Sequence, residues 1–496
     1  MIQPFAGEAA RCHSAQQKWA FVPLRERLRC ARLLRQLIAE RADALALAVT
    51  QDVGRPASEV LATDILPTAD ACKFLEKQAS RLLRPRRIPK SQRPLWLFGV
   101  RDTVHRRARG VVGIIGTWNY PIFLNAVQMV QALTAGNGVL WKPSELTPTL
   151  ATALHQLFLD AGFPVDLLIR LPATREAGFE LAEADVAHVV FTGSADVGRR
   201  LAKRLGERLV SSTLELSGCD AMIVAADADV PMAVKAAWWG VTLNHGQTCI
   251  ALRRIFVARP VYRAFVEQLR VGASSQPEPL MMDVQATQAE SLVKQALDSG
   301  ALLLLPGLPP KAEADPPRFP PTFVIDARPD MALCRDAAFA PIAAVIPFDT
   351  LDEVVAAQSL SPYALGASIF SAGSDVIREL EGRLPTGMVC INDVLAPTAH
   401  PATPFGGNRD SGWGVTQGAE GLLEMTVPQV VSTRSGRFRP HYDNHPATAD
   451  LLQGMLCWQH SARFGDRWRG FWKMVRAGMK MGGSTNSRES GDSKKP

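Results

Sequence analysis

From Gly110 onward the chain repeatedly sets a short, wholly apolar run against a longer stretch with helical spacing, and this alternation restricts the fold more than any other feature. VVGIIG (111–116) reads as a strand without a polar face, and the segment after Pro121 reads as a helix. GVLWK (138–142) is the next strand and TPTLATALHQLFLDAG (147–162) the next helix, and DLLIRLP, AHVVFTG (187–193) and STLELSG (212–218) continue the series. A strand apolar at every position has to be covered on both faces, and strands separated by helices pair in parallel. The expectation is an α/β chain whose parallel sheets carry helices on both sides. A second β/α series runs from roughly 221 to 400, and the Pro-rich LLLLPGLPPKAEADPPRFPPTF inside it reads as a surface loop.

Upstream, residues from about 15 to 80 read as helical, because RERLRCARLLRQLIAERADALALAV repeats apolar residues at three- and four-residue spacing. A basic, Pro-broken stretch and the strand-like LWLFGVRDTVHRRAR follow. At 496 residues the chain exceeds what one hydrophobic core serves, so two or three domains are expected. No apolar run is long enough to span a bilayer, and the amino terminus has no stretch of signal-peptide type, so a cytoplasmic protein is expected. The eight cysteines are scattered without a CxxC pair, which disfavours a disulfide framework or a zinc cluster. The net charge of +7 resides in the tail: from Arg434 onward there are twelve Lys/Arg against five Asp/Glu. The body is therefore close to neutral, and a nucleic-acid-binding surface on it is not expected.

The segments that carry chemistry fall at strand–helix junctions. The dinucleotide fingerprint GxGxxG is absent from all of them; in its place stand GIIGTWNYP (113–121), WKPSE (141–145), FTGSADVG (191–198), LELSG (214–218), NHGQTC (244–249) and PFGGNRDSGWG (404–414). In this order and spacing the six resemble the aldehyde dehydrogenase superfamily over roughly residues 15 to 435, most similarly its class 3-type branch. The resemblance implies two Rossmann-like α/β lobes and a β oligomerisation arm. It places the NAD-binding domain at 1–217, with an arm strand near 96–108, and the catalytic domain at 218–405. A return to the first domain and the arm follows at 406–435, then a basic tail at 436–496.

Each motif has a chemical task under that resemblance. Cys249 supplies a thiolate that adds to an aldehyde carbon, giving a thiohemiacetal. Asn119 matches the family amide that, with the Cys249 N–H, stabilises the resulting oxyanion. Glu215 matches the general base that activates water against the thioester, which favours hydrolysis over transfer to coenzyme A. Gly193 and Ser194 open a helix suited to a pyrophosphate, with Val197 and Gly198 in its first turn. Lys142 and Glu145 match the ribose-binding pair, and the carboxylate argues for NAD, with NADP as the alternative. Trp118, Leu216 and Phe339 complete the cofactor residues. The implied activity is oxidation of an aldehyde to an acid by a homodimer. The competing readings are a coenzyme A-acylating enzyme and a catalytically impaired binding or scaffold protein.

The chain departs from the family pattern at several positions. Ala337 stands where a glutamate holds the nicotinamide ribose, with Asp336 one residue away. Ser217 replaces a glycine, Cys219 a lysine, and Asp220 follows. Looser nicotinamide binding is the expected consequence. His245 reads as a turn residue rather than a base for Cys249. No metal site is assigned, His441 and His445 lacking a helix to align them. In the tail, Phe464, Trp468, Phe471, Trp472, Val475 and Met479 fall on one helical face, with Arg463, Arg467, Lys473, Arg476 and Lys480 over the others. Residues 462–481 thus read as an amphipathic helix suited to peripheral membrane contact or to packing on protein, and the first of these would suit an apolar aldehyde.

Overall fold

The computed structural model describes residues 3–305, 316–436, 442 and 445–486. The chain divides into two compact units, Met1–Leu83 with Arg107–Val427, and Arg84–Arg106 with Pro428–Pro496.

In the first unit, a six-stranded sheet has the order Gly412–Trp413, Ser211–Glu215, His188–Thr192, Val111–Ile115, Gly138–Lys142, Leu168–Arg170. All its pairs are parallel except the one made by the Gly412–Trp413 edge. The side-chain alternation of a strand explains why every position is apolar. Val112, Ile114, Trp141 and Val190 enter a core shared with the amino-terminal helices, whereas Val111, Ile115, Leu140 and Phe191 enter the core on the opposite face. A seven-stranded sheet repeats the principle with the order Leu302–Leu303, Thr322–Ile325, Ile342–Phe348, Leu252–Ala258, Asp220–Val224, Gly366–Phe370, Met388–Ile391. Its inner strands send Ile223, Phe256 and Ala344 to one core and Met222, Val257 and Val345 to the other. In the six-stranded sheet, chain order reverses at Val111–Ile115, which is flanked by Gly138–Lys142 and His188–Thr192. A crevice opens at such a reversal, beyond the carboxyl ends of the strands.

The amino-terminal helical region starts earlier than expected, at Ala6, and is a set of helices: Ala6–Trp19, Leu24–Glu40, Ala42–Val53 and Leu66–Leu82 are its longer members. Pro23 caps the second, and Gly54 ends the third in a left-handed conformation with φ 73°. The Pro-rich segment is not wholly loop. Leu302–Leu303, Arg318–Phe319 and Thr322–Ile325 are strands, the last pairing in parallel with Ile342–Phe348 and burying Phe323 and Val324.

In the second unit, Arg86–Arg87, Val100–Ala108 and Thr426–Arg434 form a three-stranded sheet. The strand expected from about residue 96 begins at Val100, because Leu95–Leu97 is a 3-10 turn set by Pro94. The tail helix spans Phe464–Asn486, and a helix not read from the sequence, Thr448–His460, packs on it. His445 lies just before that helix, its Nδ1 accepting the Ala447 N–H at 3.0 Å, and His441 lies outside the described residues. Among the described residues no helix is long and apolar enough to cross a membrane.

Candidate active site

Cys249 follows a loop whose shape the backbone forces. After the Val230–Thr242 helix, Asn244, His245 and Gly246 are all left-handed, with φ 51°, 55° and 73°. At Gly246 a side chain would also meet the Ala340 backbone at 2.5 Å, so glycine is required on two counts. Gln247, 1% exposed, anchors the loop from inside. Its Oε1 accepts the Met281 N–H at 3.0 Å and an N–H of Gln285 at 3.2 Å, and the same Gln285 amide donates to the Phe339 carbonyl at 2.9 Å. One buried glutamine thus ties the cysteine loop to the Phe339 segment.

The Asn119 turn leaves the Val111–Ile115 strand and is held by a buried ion pair. Arg55 and Asp64, both with 0% side-chain exposure, meet at 2.5 Å. Asp64 Oδ1 accepts the N–H groups of Ile122 and Phe123 at 3.0 Å each, and Arg55 donates to the Asn119 carbonyl at 3.1 Å. The Arg55 guanidinium also lies 4.6 Å from the centre of the Tyr120 ring, whose hydroxyl pairs with Thr248 Oγ1 at 2.6 Å. The Asn119 side chain is buried, its Oδ1 accepting from Thr117 and its Nδ2 donating to the Gln247 carbonyl at 3.1 Å. The amide is thereby locked beside the cysteine loop, with one of its two N–H bonds committed.

Cys249 lines two cavities. One, about 240 Å³, is bounded by Trp118, Asn119, Gly193, Ser194, Glu215, Leu216 and Phe339 among others. The other, about 210 Å³, is lined by Tyr120, Phe123, Leu124, Trp239, Leu243, Ile250 and Leu395, with Phe405, Gln417 and small residues besides, and holds no charged side chain. Burial first, then the negative charges of Glu215 and Asp220, push the Cys249 thiol up to about 12. Burial raises Glu215 to about 7, opposed by hydrogen bonds from Thr416 and Thr192. A carboxyl with its pKa raised to about 7 can take a proton from water near neutral pH.

The cofactor residues named from sequence fall in two groups. Trp118, Gly193, Ser194, Leu216 and Phe339 share the 240 Å³ cavity, with Trp118 and Phe339 rings in edge contact at 6.0 Å. Ser194 caps the Ala195–Glu207 helix by accepting the Val197 N–H, and Gly198 lies in the same first turn. Lys142 and Glu145 form a separate pair at the end of the Gly138–Lys142 strand, 3.1 Å apart. Glu145 is not alone with Lys142: Arg175 approaches it at 2.9 Å. That guanidinium offsets the repulsion of a 2′-phosphate on which the sequence argument for NAD rested. Ser217 and Ala337 line the cavity as expected, together with Gln285 and Gln288, while Asp336 is exposed and is not part of the lining. His245 pairs with Glu278 at 2.8 Å, and that contact occupies its Nδ1. Arg55, Asp64, Gln285 and Arg175 carried no sequence signal, since each acts through a partner distant in the chain or through a surface charge of ordinary type.

Comparison with known proteins places this geometry. The model of the Aldehyde dehydrogenase family matches residues 6–431. A 4,4'-diapolycopene aldehyde oxidase of a Methylomonas species is 31% identical, over 88% of this chain and 84% of its own. The succinate-semialdehyde dehydrogenase [NADP(+)] of Deinococcus radiodurans is 33% identical, over 87% and 90%. The crystal structure of Mycobacterium tuberculosis aldehyde dehydrogenase complexed with NAD+ superimposes with a TM-score of 0.80 at 27% identity, covering 87% of this chain and 90% of that one. With its six motifs, its six- and seven-stranded sheets and its cysteine between two cavities, this chain belongs to the aldehyde dehydrogenase family, a family of oxidoreductases.

Proposed function

We propose that the protein oxidises an apolar aldehyde to its carboxylic acid through Cys249, with NAD or NADP as oxidant. The observation that carries this is the position of Cys249, open both to an uncharged apolar cavity and to a cavity lined by Glu215, Asn119 and the start of a helix. The aldehyde enters by the apolar side. The Cys249 thiol gives its proton to solvent as the sulfur adds to the carbonyl carbon. The second Asn119 N–H and the Cys249 backbone N–H steady the oxyanion. The 240 Å³ cavity suits the nicotinamide end of a dinucleotide and the Ser194-capped helix start its pyrophosphate, and the nicotinamide when bound would supply the hydride acceptor. Glu215 then removes a proton from water attacking the Cys249 thioester, and the thiol leaves with the acid released.

Glu145 favours NAD and Arg175 accommodates the extra phosphate of NADP, so both belong in the test. NADH or NADPH formation from a panel of aliphatic, aromatic and charged aldehydes is the experiment. Turnover of apolar aldehydes above succinate semialdehyde and betaine aldehyde supports the reading; reduction of neither cofactor with any aldehyde removes it. The same proposal has the protein working as a homodimer in the cytoplasm, paired through the Val100–Ala108 and Thr426–Arg434 arm, and touching a membrane surface through residues 462–481.

A further inference from the structure

The family model ends at residue 431, so the Thr448–His460 and Phe464–Asn486 helices lie outside it. They form a hairpin with its own small core of Ala447, Leu451, Ala477 and Met481. The helices meet glycine to glycine: a side chain at Gly454 would strike the Met474 N at 2.5 Å, and one at Gly470 the Cys457 Cβ at 2.7 Å. Gly470, Ala477 and Met481 therefore form the packed stripe of the second helix, and it is not the aromatic stripe. The aromatic stripe faces outward, with Phe464 81%, Trp468 54% and Met479 68% exposed, beside Leu456 at 61% on the first helix. Trp458, Trp468, Phe471 and Trp472 make a continuous ring cluster near the hairpin tip. Around it stand Arg463, Arg467, Arg469, Lys473, Arg476 and Lys480 against the single acid Asp466 in the same stretch. Arg463, Arg476 and Lys480 form no salt bridge among the described residues.

We infer that this hairpin is a docking device for an anionic bilayer surface, its aromatic stripe entering the interface and its cations meeting lipid phosphates. An exposed Trp/Phe stripe with a cationic flank and a helix too polar to span is the composition that lies in an interface. Helix packing through glycines frees the bulky residues for that contact, because they are not needed to hold the hairpin together. The inference extends the membrane contact proposed above and stands independently of the catalytic chemistry.

The test sediments the full-length protein with vesicles of phosphatidylcholine alone and of phosphatidylcholine with phosphatidylglycerol. Binding to the anionic vesicles alone, weakened by salt, is expected. Replacing Phe464→Ser, Trp468→Ser and Met479→Ser together should weaken it about tenfold or more, and Arg476→Glu with Lys480→Glu should do the same. All these positions are exposed or at the helix surface, and cofactor reduction with a water-soluble aldehyde, measured on the same samples, should not change. Loss of that activity in the wild type would strike the catalytic reading alone. Equal vesicle binding by wild type and both variants, no binding by wild type, or a change of oligomeric state in the aromatic variant would overturn the docking inference; the last would assign the face to a second copy of the chain.

Discussion

Glu215 is buried beside Cys249 with a carboxyl near neutrality, and two threonines, Thr416 and Thr192, supply its hydrogen bonds. Because burial raises its pKa to about 7, the protonated form predominates below that pH and the basic form above it. Turnover should therefore climb as pH rises through about 7, and Glu215→Gln should abolish that limb while lowering steady-state turnover by about 10²–10⁴-fold. A rapid first turnover surviving in the variant, seen as a burst of reduced cofactor, would place the loss in hydrolysis. The proposed nucleophile, amide and base could all be named from the sequence, since each sits in a motif of short span. Arg55 and Asp64 were not: they act on a turn 58 or more residues away, and nothing in the Gly54-Arg55-Pro56 stretch announces which turn that is.

At the scale of elements, the buried Arg55–Asp64 pair fastens the helical segment around Leu61–Ile65 to the Asn119 turn. Removing one partner leaves an uncompensated buried charge. Arg55→Met should cost about 3–5 kcal/mol and lower the denaturation midpoint accordingly, with the remaining activity falling through kcat because Asn119, the proposed oxyanion donor, loses its tether. Double replacement with Asp64→Leu should recover part of the stability without recovering kcat. Sequence patterning served the central parallel strands well, because wholly apolar runs admit few other fates. It failed in the Pro-rich segment, where Thr322–Ile325 owes its strand to pairing with Ile342–Phe348. It left Thr448–His460 unread, and the closeness of Gly454 to Gly470 of the neighbouring helix shows only in the structure.

For the whole molecule, the Thr426–Arg434 strand is an edge of its sheet and carries Val430 and Val431 exposed at 62% and 40%. An apolar open edge of this kind is stable when a second copy covers it. Sedimentation velocity should give a dimer, and Val430→Lys with Val431→Lys should shift it toward monomer; a monomeric wild type would contradict the proposed assembly. The basic tail falls within the second unit, which also holds the basic segment Arg84–Arg106.

The most direct test of the whole account is intact and peptide mass spectrometry of the Glu215→Gln variant after mixing with an apolar aldehyde and NAD or NADP. A covalent acyl group on the peptide that contains Cys249, formed only when both aldehyde and cofactor are present and absent from Cys249→Ser, is the predicted result. An acyl group on another residue, or wild-type turnover with Cys249 never modified in the variant, would contradict it.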